Sequence, residues 1–428
     1  MNPNPPRNSP WFCAWLVLAS CFSRSSFAQQ PLTWQQLRAK FEASNPTLRA
    51  GQLSIDEARA MEITAYLRPN PDLTISADGT QLTPSQGVWR PFAGTQYGPS
   101  VSYLHEREHK RELRLDSAVK GTAIARAQQD DLERNLLFTL RGGFNQILQA
   151  RAVLALAQEN LNYYDNFLKV SRDRLNAGDI ARVDLDRLEL QRIQYESDIQ
   201  TALVNVRTAK IQLQQLLADR TPVEQFEVTG PFDFTDPART LEEFRRIAAD
   251  SRPDLQAALR TVEKANTDHQ LAVSNGSTDP TFAGWVTHNP SFNNPFDNNS
   301  VGVSVTIPLR IFDHNQGEKE RTAIDIRRNQ RLAEAAASQV FSDVDTAYAT
   351  LNSNLTLLRP YKSTYLDQAA RVRDTIAFAY QRGGASLLDF LSAENEYRSV
   401  RLNYLNLVGA YMTAASQLNL AVGREVIQ

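Results

Sequence analysis

The sequence predicts a mainly α-helical chain that also supplies strands to a membrane β-barrel, with one structural unit occurring twice. Three observations predict this class: a secretory leader with no later membrane helix, an internal repeat of about half the chain, and heptad runs beside strands of period two. The chain of 428 residues carries a formal net charge of −2, so we expect no nucleic-acid partner and no acidic disordered tail.

Residues 1–28 have the pattern of a secretory signal peptide. A polar start with Arg7 precedes an apolar run at residues 11–20, and Ser26-Phe27-Ala28 supplies the small residues for cleavage after Ala28. A second interpretation stays open, because Leu18-Ala19-Ser20-Cys21 resembles the lipobox of bacterial lipoproteins and would leave Cys21 lipid-modified.

Both cysteines, Cys13 and Cys21, lie in this leader. Cleavage after Ala28 would therefore leave an exported chain with no disulfide and no thiolate metal site. No later apolar run reaches the ~18 residues of a membrane helix. We expect an exported chain of this kind to be either soluble or a β-barrel.

Two stretches, NAGDIARVDLDRLELQ at 176–191 and QRGGASLLDFLSAENE at 381–396, align without a gap at an offset of 205 positions (383 − 178). Gly178 falls on Gly383, and Glu189 falls on Glu394. Similar offsets recur along the chain, which predicts one duplicated and fused unit. The expected organisation is a signal peptide at 1–28, a first repeat at 29–220, a linker at 221–239 and a second repeat at 240–428.

Each repeat contains a long segment with apolar residues at every seventh position, which predicts a coiled-coil rod. The rods cover 110–176 and 316–382, and about 67 residues at ~1.5 Å each give roughly 100 Å. We expect Gly142-Gly143 to loosen the first rod and Pro360 to kink or interrupt the second. The heptad positions are Leu140, Ile147, Leu154, Leu161, Leu168 and Leu175, then Val344, Leu351, Leu358, Tyr365, Val372 and Ala379.

A glycine ends each rod, and a shorter helix is expected to return at 183–218 and at 387–422. Gly178 and Gly383 supply the positive φ that reverses the chain. Asp184 and Asp389 follow their glycines and fall in the first turn of the returning helix, where the helix dipole favours negative charge. Stabilising the start of the helix would be enough to explain both aspartates, and a functional role stays open beside it.

Each repeat also contains two candidate strands with apolar residues at alternate positions. Leu73–Asp78 and Val301–Leu309 are the clearest, and Tyr97–Tyr103 and Thr281–His288 are weaker. Alternation over ~9–11 residues suits a transmembrane strand, although the half-buried sheet of a soluble protein alternates in the same way. Four strands cannot close a barrel, whereas three copies of the chain would supply twelve (4 × 3).

These features together resemble the outer-membrane efflux factors, the TolC family, from about Leu32 to the end of the chain. The residues that carry the resemblance are Pro308-Leu309 and Phe312-Asp-His-Asn-Gln-Gly317, at the exit from the fourth strand, and the glycine–aspartate pattern of both tips. The form of the segment Phe312–Gly317 is similar to members that serve heavy-metal pumps of the cobalt–zinc–cadmium type.

The resemblance implies a homotrimer, with a twelve-stranded β-barrel in outer-membrane lipid continuous with a periplasmic α-helical barrel. It implies two partners, a periplasmic membrane-fusion adaptor and an inner-membrane pump of RND type. It also implies a passive exit duct with no cofactor and no enzyme activity.

The resemblance further implies a periplasmic gate, in which rings of aspartates are held by tyrosine–arginine links. Asp184 and Asp389 match ring positions, and Tyr380 matches a linking tyrosine. Ala385 and Ser392 stand where the family has an arginine and a second aspartate, so Arg382 or Arg174 is expected to substitute. Three carboxylates that converge on one axis favour cations and raise one another's pKa.

The same tips are expected to dock the adaptor, because exposed aliphatic residues at the end of a rod indicate an interaction surface. Burial against the neighbouring rod is the alternative for about half of them. The set is Gly178, Ile180, Val183, Leu185, Gly383, Leu387, Leu388 and Phe390.

Other functions stay open on the sequence. The cargo alternatives are drugs or a type I secreted protein, and the alternative of another class is a soluble periplasmic coiled-coil adaptor or scaffold. The strand pairs favour an outer-membrane duct over a soluble adaptor.

His105 and His109 lie beside two glutamates, but they fall at a strand-to-helix junction where a solvated polar belt is expected, so we expect no metal site.

Overall fold

The computed structural model describes residues 30–84, 86–92, 94–237, 239–289 and 298–427. The predicted signal peptide, its cleavage after Ala28 and the alternative lipidation of Cys21 lie outside the described residues. Over the described ranges, no helix has both the length and the low polarity needed to cross a membrane.

One order of elements occurs twice: two short helices, two strands and a long helical hairpin. The first half contains α1 (Trp34–Ser44), α2 (Pro46–Tyr66), β1 (Asp72–Asp78), β2 (Gln96–Leu104), α3 (Lys110–Ala177) and α4 (Arg182–Leu216). A turn of 3-10 helix, Val223–Gln225, lies between the halves. The second half contains α5 (Leu241–Ser251), α6 (Pro253–Asn275), β3 (Thr281–His288), β4 (Asn299–Thr306), α7 (Gln316–Pro360), α8 (Leu366–Gln381) and α9 (Leu387–Val422). The predicted mainly α-helical class with a duplicated strand pair and hairpin is confirmed.

The first rod, α3, is a continuous helix of 68 residues. The expectation that Gly142-Gly143 loosens it is wrong, because the helix runs through both glycines. Gly143 faces α4, where an added Cβ would stand 3.2 Å from Cδ1 of Leu213. The glycine therefore permits close approach of the two helices of the hairpin.

The second rod is interrupted where the sequence predicts it. α7 ends at Pro360, a π-helical turn covers Tyr361–Tyr365, and α8 continues toward the tip. Proline has no N–H to donate to the preceding turn, and the wider π turn takes up the break.

The π turn also changes which side of the second rod is buried. Leu351 and Leu358 are fully buried, whereas the next two heptad positions, Tyr365 and Val372, are 48% and 43% exposed. The heptad prediction is therefore wrong beyond Pro360, because the extra residue in a π turn rotates every later side chain around the helix axis.

One large buried core joins both repeats along the rods, away from the tips. It includes Phe41 of α1, Ile147 of α3, Phe244 of α5 and Leu418 of α9. The segment between the halves crosses this core, and its Val228 forms a parallel bridge with Leu32. Burial of such side chains contributes about 1.5–3 kcal/mol each, so the core fixes the two hairpins side by side at this level.

The four strands form one antiparallel sheet in the order β1-β2-β3-β4. The pairing aligns the alternation of all four strands: Val101 lies opposite Leu73 on one side and Gly284 on the other, and Gly284 lies opposite Val303. One face therefore carries Leu73, Ile75, Tyr97, Val101, Tyr103, Phe282, Val286, Val301, Val303 and Val305. The opposite face carries Thr74, Ser76, Ser100, Ser102, Thr287, Ser300 and Ser304.

The apolar face of the sheet is exposed along its length, with Ile75 and Val303 the most exposed of its members. Among the described residues, neither the outer edge of β1 nor that of β4 pairs with another strand. An exposed apolar face of this size is expected to contact lipid, and an open edge is expected to pair with another chain.

Candidate functional site: the two hairpin tips

The first tip is a tight reversal between α3 and α4. Gly178 has φ +81°, and its N–H donates to the carbonyl of Leu175 at 3.0 Å. The N–H of Asp179 donates to the carbonyl of Arg174 at 2.9 Å, so two terminal carbonyls of α3 are satisfied by backbone. α4 then starts after Ala181, whose side chain cannot cap the helix.

The second tip repeats this reversal and adds a cap. Gly383 has φ +77°, and the N–H of Gly384 donates to the carbonyl of Ala379 at 2.8 Å. α9 begins with a capping box, in which Ser386 Oγ accepts from the N–H of Asp389 at 3.1 Å and the Asp389 carboxylate accepts from the N–H of Ser386 at 3.0 Å. The second returning helix is therefore anchored by a side chain at its first turn, and the first is not.

An aromatic cluster joins the two tips. The rings of Phe167 on α3 and Phe390 on α9 stack with centroids 3.7 Å apart, and Tyr380 on α8 packs against both. Tyr164 on α3 stacks on Tyr195 of α4 at 4.4 Å. The contacts of Phe167 with Phe390 and Tyr380 hold the second hairpin against the first close to the tips, whereas the Tyr164–Tyr195 stack lies within the first hairpin.

The predicted docking residues fall into two groups. Leu185, Leu387 and Phe390 are buried in the core between the hairpins, so they do not form an exposed surface. Val183 and Leu388 are 55% and 76% exposed. Gly178 and Gly383 are exposed, and Ile180 is half-buried.

The two predicted gate aspartates have different surroundings. Asp184 is half-buried in the first turn of α4, near Tyr380. Asp389 is exposed, and its carboxylate accepts hydrogen bonds from the hydroxyl and the N–H of Ser386, at 2.7 and 3.0 Å. These bonds lower the pKa of Asp389 in the single chain. The raised pKa expected for a ring of carboxylates from three chains stays a prediction.

Tyr380 has an arginine partner within the chain. The Arg174 guanidinium lies 5.3 Å from the centre of the Tyr380 ring, and its Nη1 donates to the Tyr380 carbonyl at 2.9 Å. Burial raises the pKa of the Tyr380 phenol, with a smaller opposing effect from Arg174. The other predicted substitute, Arg382, instead stacks over Phe378 at 4.5 Å. Of the two predicted arginines, Arg174 is thus the one beside Tyr380; it contacts the ring and the backbone carbonyl, and the phenol oxygen has no hydrogen-bond partner among the described residues.

The tips also contain a buried carboxyl group that the sequence reasoning did not single out. Glu394 lies in the aligned stretches. Its spacing with Leu387, Phe390 and Tyr397 places all four residues on one stripe of α9, and this spacing is the sequence pattern that indicates burial.

At the far end of the rods, the His105 ring packs edge-on against Phe282. Over the described ranges, no three His, Cys, Asp or Glu side chains form a group suited to a metal ion.

The sequence and the fold both match known proteins. The model of the family described as outer membrane efflux protein matches residues 37–218 and 245–424. The chain is 22% identical to the cobalt-zinc-cadmium resistance protein CzcC of Cupriavidus metallidurans, over 93% of this chain and 91% of that protein. It is 21% identical to the outer membrane protein TolC of Escherichia coli, over 91% of this chain and 83% of that one.

The crystal structure of CusC, described in connection with transmembrane channel formation, superposes with a TM-score of 0.76. The superposition covers 91% of this chain and 92% of CusC at 18% sequence identity, so the two proteins share a fold. Because the family model matches both repeats, the chain belongs to the outer membrane efflux protein family and is an efflux channel of the bacterial outer membrane.

Proposed function

We propose that three copies of this chain form the outlet duct of a tripartite efflux system and that the duct releases heavy-metal cations. A periplasmic membrane-fusion adaptor and an inner-membrane pump of RND type would deliver the cations. The duct is passive, so the pump supplies the free energy and the chain carries out no chemical step.

The observation that carries the duct is the four-stranded sheet. Its two edges are open over the described residues, and its apolar face is continuous across both repeats. β4 of one copy can pair with β1 of the next, and three copies close a barrel of twelve strands (4 × 3) with its apolar face toward lipid. A soluble adaptor or scaffold would leave this face exposed to water.

The metal cargo is supported by two observations. CzcC, which is similar over 93% of the chain, is named for resistance to cobalt, zinc and cadmium. The segment Phe312–Gly317, which leads from β4 into the start of α7, resembles in form the same segment of members that serve heavy-metal pumps. An outlet for drugs or for a type I secreted protein would use the same architecture, so cargo is decided by experiment.

We propose that the gate consists of Asp184, Asp389 and Tyr380, with Arg174 as the linking arginine. Both aspartates lie in the first turns of α4 and α9, at the tips, which would be the periplasmic end of the rods. Carboxylates gathered around a three-fold axis at that end would attract cations.

We propose that the adaptor docks on the exposed part of the predicted set, chiefly Val183 and Leu388. Aliphatic side chains exposed at a tip are suited to contact another protein. Ile180 and the two tip glycines, Gly178 and Gly383, would lie at the edge of this surface. Leu185, Leu387 and Phe390 would act indirectly, by holding the tips in shape.

A membrane fractionation experiment tests the duct. The outer-membrane fraction is expected to contain a heat-sensitive trimer band, because closed β-barrels resist detergent until they are heated. A monomer in the soluble periplasmic extract would overturn the proposal.

A sensitivity panel on a deletion strain tests the cargo. Zinc, cobalt, cadmium and copper are compared with detergents, dyes and antibiotics, with complementation by wild type and by Asp389→Ala. Selective sensitivity to metals is expected. Sensitivity to organic compounds alone would contradict the metal proposal and leave a duct for drug efflux.

A further inference from the structure

Glu394 lies on α9, inside the contact between the two hairpins. Its side chain is buried, with the residue only 1% exposed. One carboxyl oxygen, Oε1, accepts a hydrogen bond of 3.4 Å from the hydroxyl of Tyr195 on α4. The other, Oε2, is buried and has no hydrogen-bond partner among the described residues. An ionised carboxylate with a bare oxygen in such a place carries a large desolvation cost.

The cations near Glu394 are already paired. Arg398, one turn further along α9, pairs with Asp198 of α4 and stacks on Tyr195. Arg373 of α8 pairs with its neighbour Asp374 at 2.8 Å. The two guanidinium groups and their two carboxylates are balanced in charge, so an ionised Glu394 adds an uncompensated negative charge.

The remaining helix, α3, faces this region with tyrosine side chains. The Arg373 guanidinium lies 4.2 Å from the ring of Tyr163, and Tyr164 stacks on Tyr195. Burial therefore dominates and raises the pKa of Glu394, with Arg373, Arg398 and Tyr195 acting in the opposite direction. The uncharged acid is the form that suits this packing.

The equivalent residue of the first repeat has a different environment. Glu189 falls on Glu394 when the repeats are aligned, but its side chain is 40% exposed and pairs with Arg172 at 2.9 Å. The repeat therefore does not require a buried glutamate at this position, and the burial is specific to the second hairpin.

We propose that Glu394 is a pH-sensitive latch between the hairpins: as an uncharged acid it stays packed against Tyr195, and on ionisation it draws in water and loosens α9 from α4. The latch is a property of the packing near the tips and does not depend on the cargo. It gives the channel a response to periplasmic acidity that is separate from the predicted gate residues at the tips.

The direction of the pH effect follows from the position of the proton. The folded hairpins hold the Glu394 proton more tightly than the unfolded chain, where glutamate titrates near ~4.3. The stabilisation is therefore complete below that pH and is lost as pH rises through the raised pKa of the folded state. The contact between the hairpins should be tightest in acid and should loosen toward neutral or alkaline pH.

The test uses the full-length assembled protein in lipid nanodiscs and measures amide hydrogen exchange, corrected for intrinsic rates, from about pH 5 to about pH 8. Protection of the α4 and α9 segments around Tyr195 and Glu394 should fall about tenfold across this range in the wild type. Glu394→Gln, which cannot ionise, should stay protected throughout. Glu189→Gln is the matched control and should follow the wild type.

A second variant changes the midpoint and keeps the titrating group. Tyr195→Phe removes a hydrogen bond that favours the ionised carboxylate, so the loosening should move to higher pH. The proposal is overturned if Glu394→Gln keeps the wild-type pH dependence or is less protected than wild type at acidic pH. If Glu394→Gln does not assemble, Tyr195→Phe decides, and an unshifted midpoint contradicts the latch.

Discussion

The two hairpins come from one duplicated unit, yet they differ in how they are held. The first has an unbroken rod and a tip whose returning helix lacks a side-chain cap. The second has a rod interrupted after Pro360 and a tip with a capping box. Duplication has kept the chain reversal and changed the support around it.

The largest effect is expected from Phe390→Ala. Phe390 is fully buried and stacks on Phe167 across the contact between the hairpins, so its loss should cost about 3–5 kcal/mol at that contact. Limited proteolysis of the assembled protein should then cut the second tip faster than the first. Leu388→Ala, which truncates an exposed neighbour, is the control, and equal cleavage of both variants would contradict the role of the cluster.

The next effect concerns docking. Leu388→Asp should leave the amount of trimer unchanged and reduce metal resistance in cells, since a charge at a docking contact costs about 2 kcal/mol, or roughly thirtyfold in affinity. Val183→Asp makes the same change at the first tip, so the pair shows whether one tip or both contact the adaptor. Full resistance in both variants would exclude this surface.

An exchange of caps sharpens the comparison of the two tips. Ser386→Ala should destabilise the start of α9 by about 1 kcal/mol, because the N-cap hydroxyl is lost. Ala181→Ser should stabilise the start of α4 by a similar amount, because Ala181 already has the extended backbone of an N-cap residue. Hydrogen exchange of the first turns measures both changes. Equal exchange in Ala181→Ser and wild type would show that the tips are not limited by capping.

The smallest effects on stability are expected from substitutions of the two glycines in the first rod, α3. Gly142→Ala should stabilise α3 by up to about 1 kcal/mol, since the added Cβ enters open space. Gly143→Ala should stabilise α3 less than Gly142→Ala does, or should destabilise it, because the added Cβ would stand 3.2 Å from Cδ1 of Leu213. Thermal unfolding compares the two variants directly. A larger gain for Gly143→Ala would contradict the close approach of α3 and α4.

The rods, the tips and the phases of the strands could be predicted from sequence because each follows from a local period or a turn residue. The predicted second rod at 316–382 became α7, the π turn and α8, with the interruption at Pro360. The exposure of Tyr365 and Val372 could not be predicted, since the sequence does not say whether a proline produces a kink, a break or a π turn.

The candidate site was predicted less completely. Ser386 and Asp389 have the spacing of a capping box, so the role of Asp389 in helix capping could be predicted from the sequence. To predict that Glu394 is buried, one must know that its stripe on α9 faces the other hairpin rather than water. The split of the docking residues into exposed and buried groups has the same cause, because packing between hairpins is a tertiary property.

The central claim, that the chain is an outlet for metal cations, is tested most directly by export from living cells. A deletion strain is loaded with zinc or with a cationic dye, wild-type protein is induced, and the retained amount of each is followed over time. Retained zinc should fall on induction while retained dye stays constant. A fall in dye with no change in zinc would contradict the metal proposal.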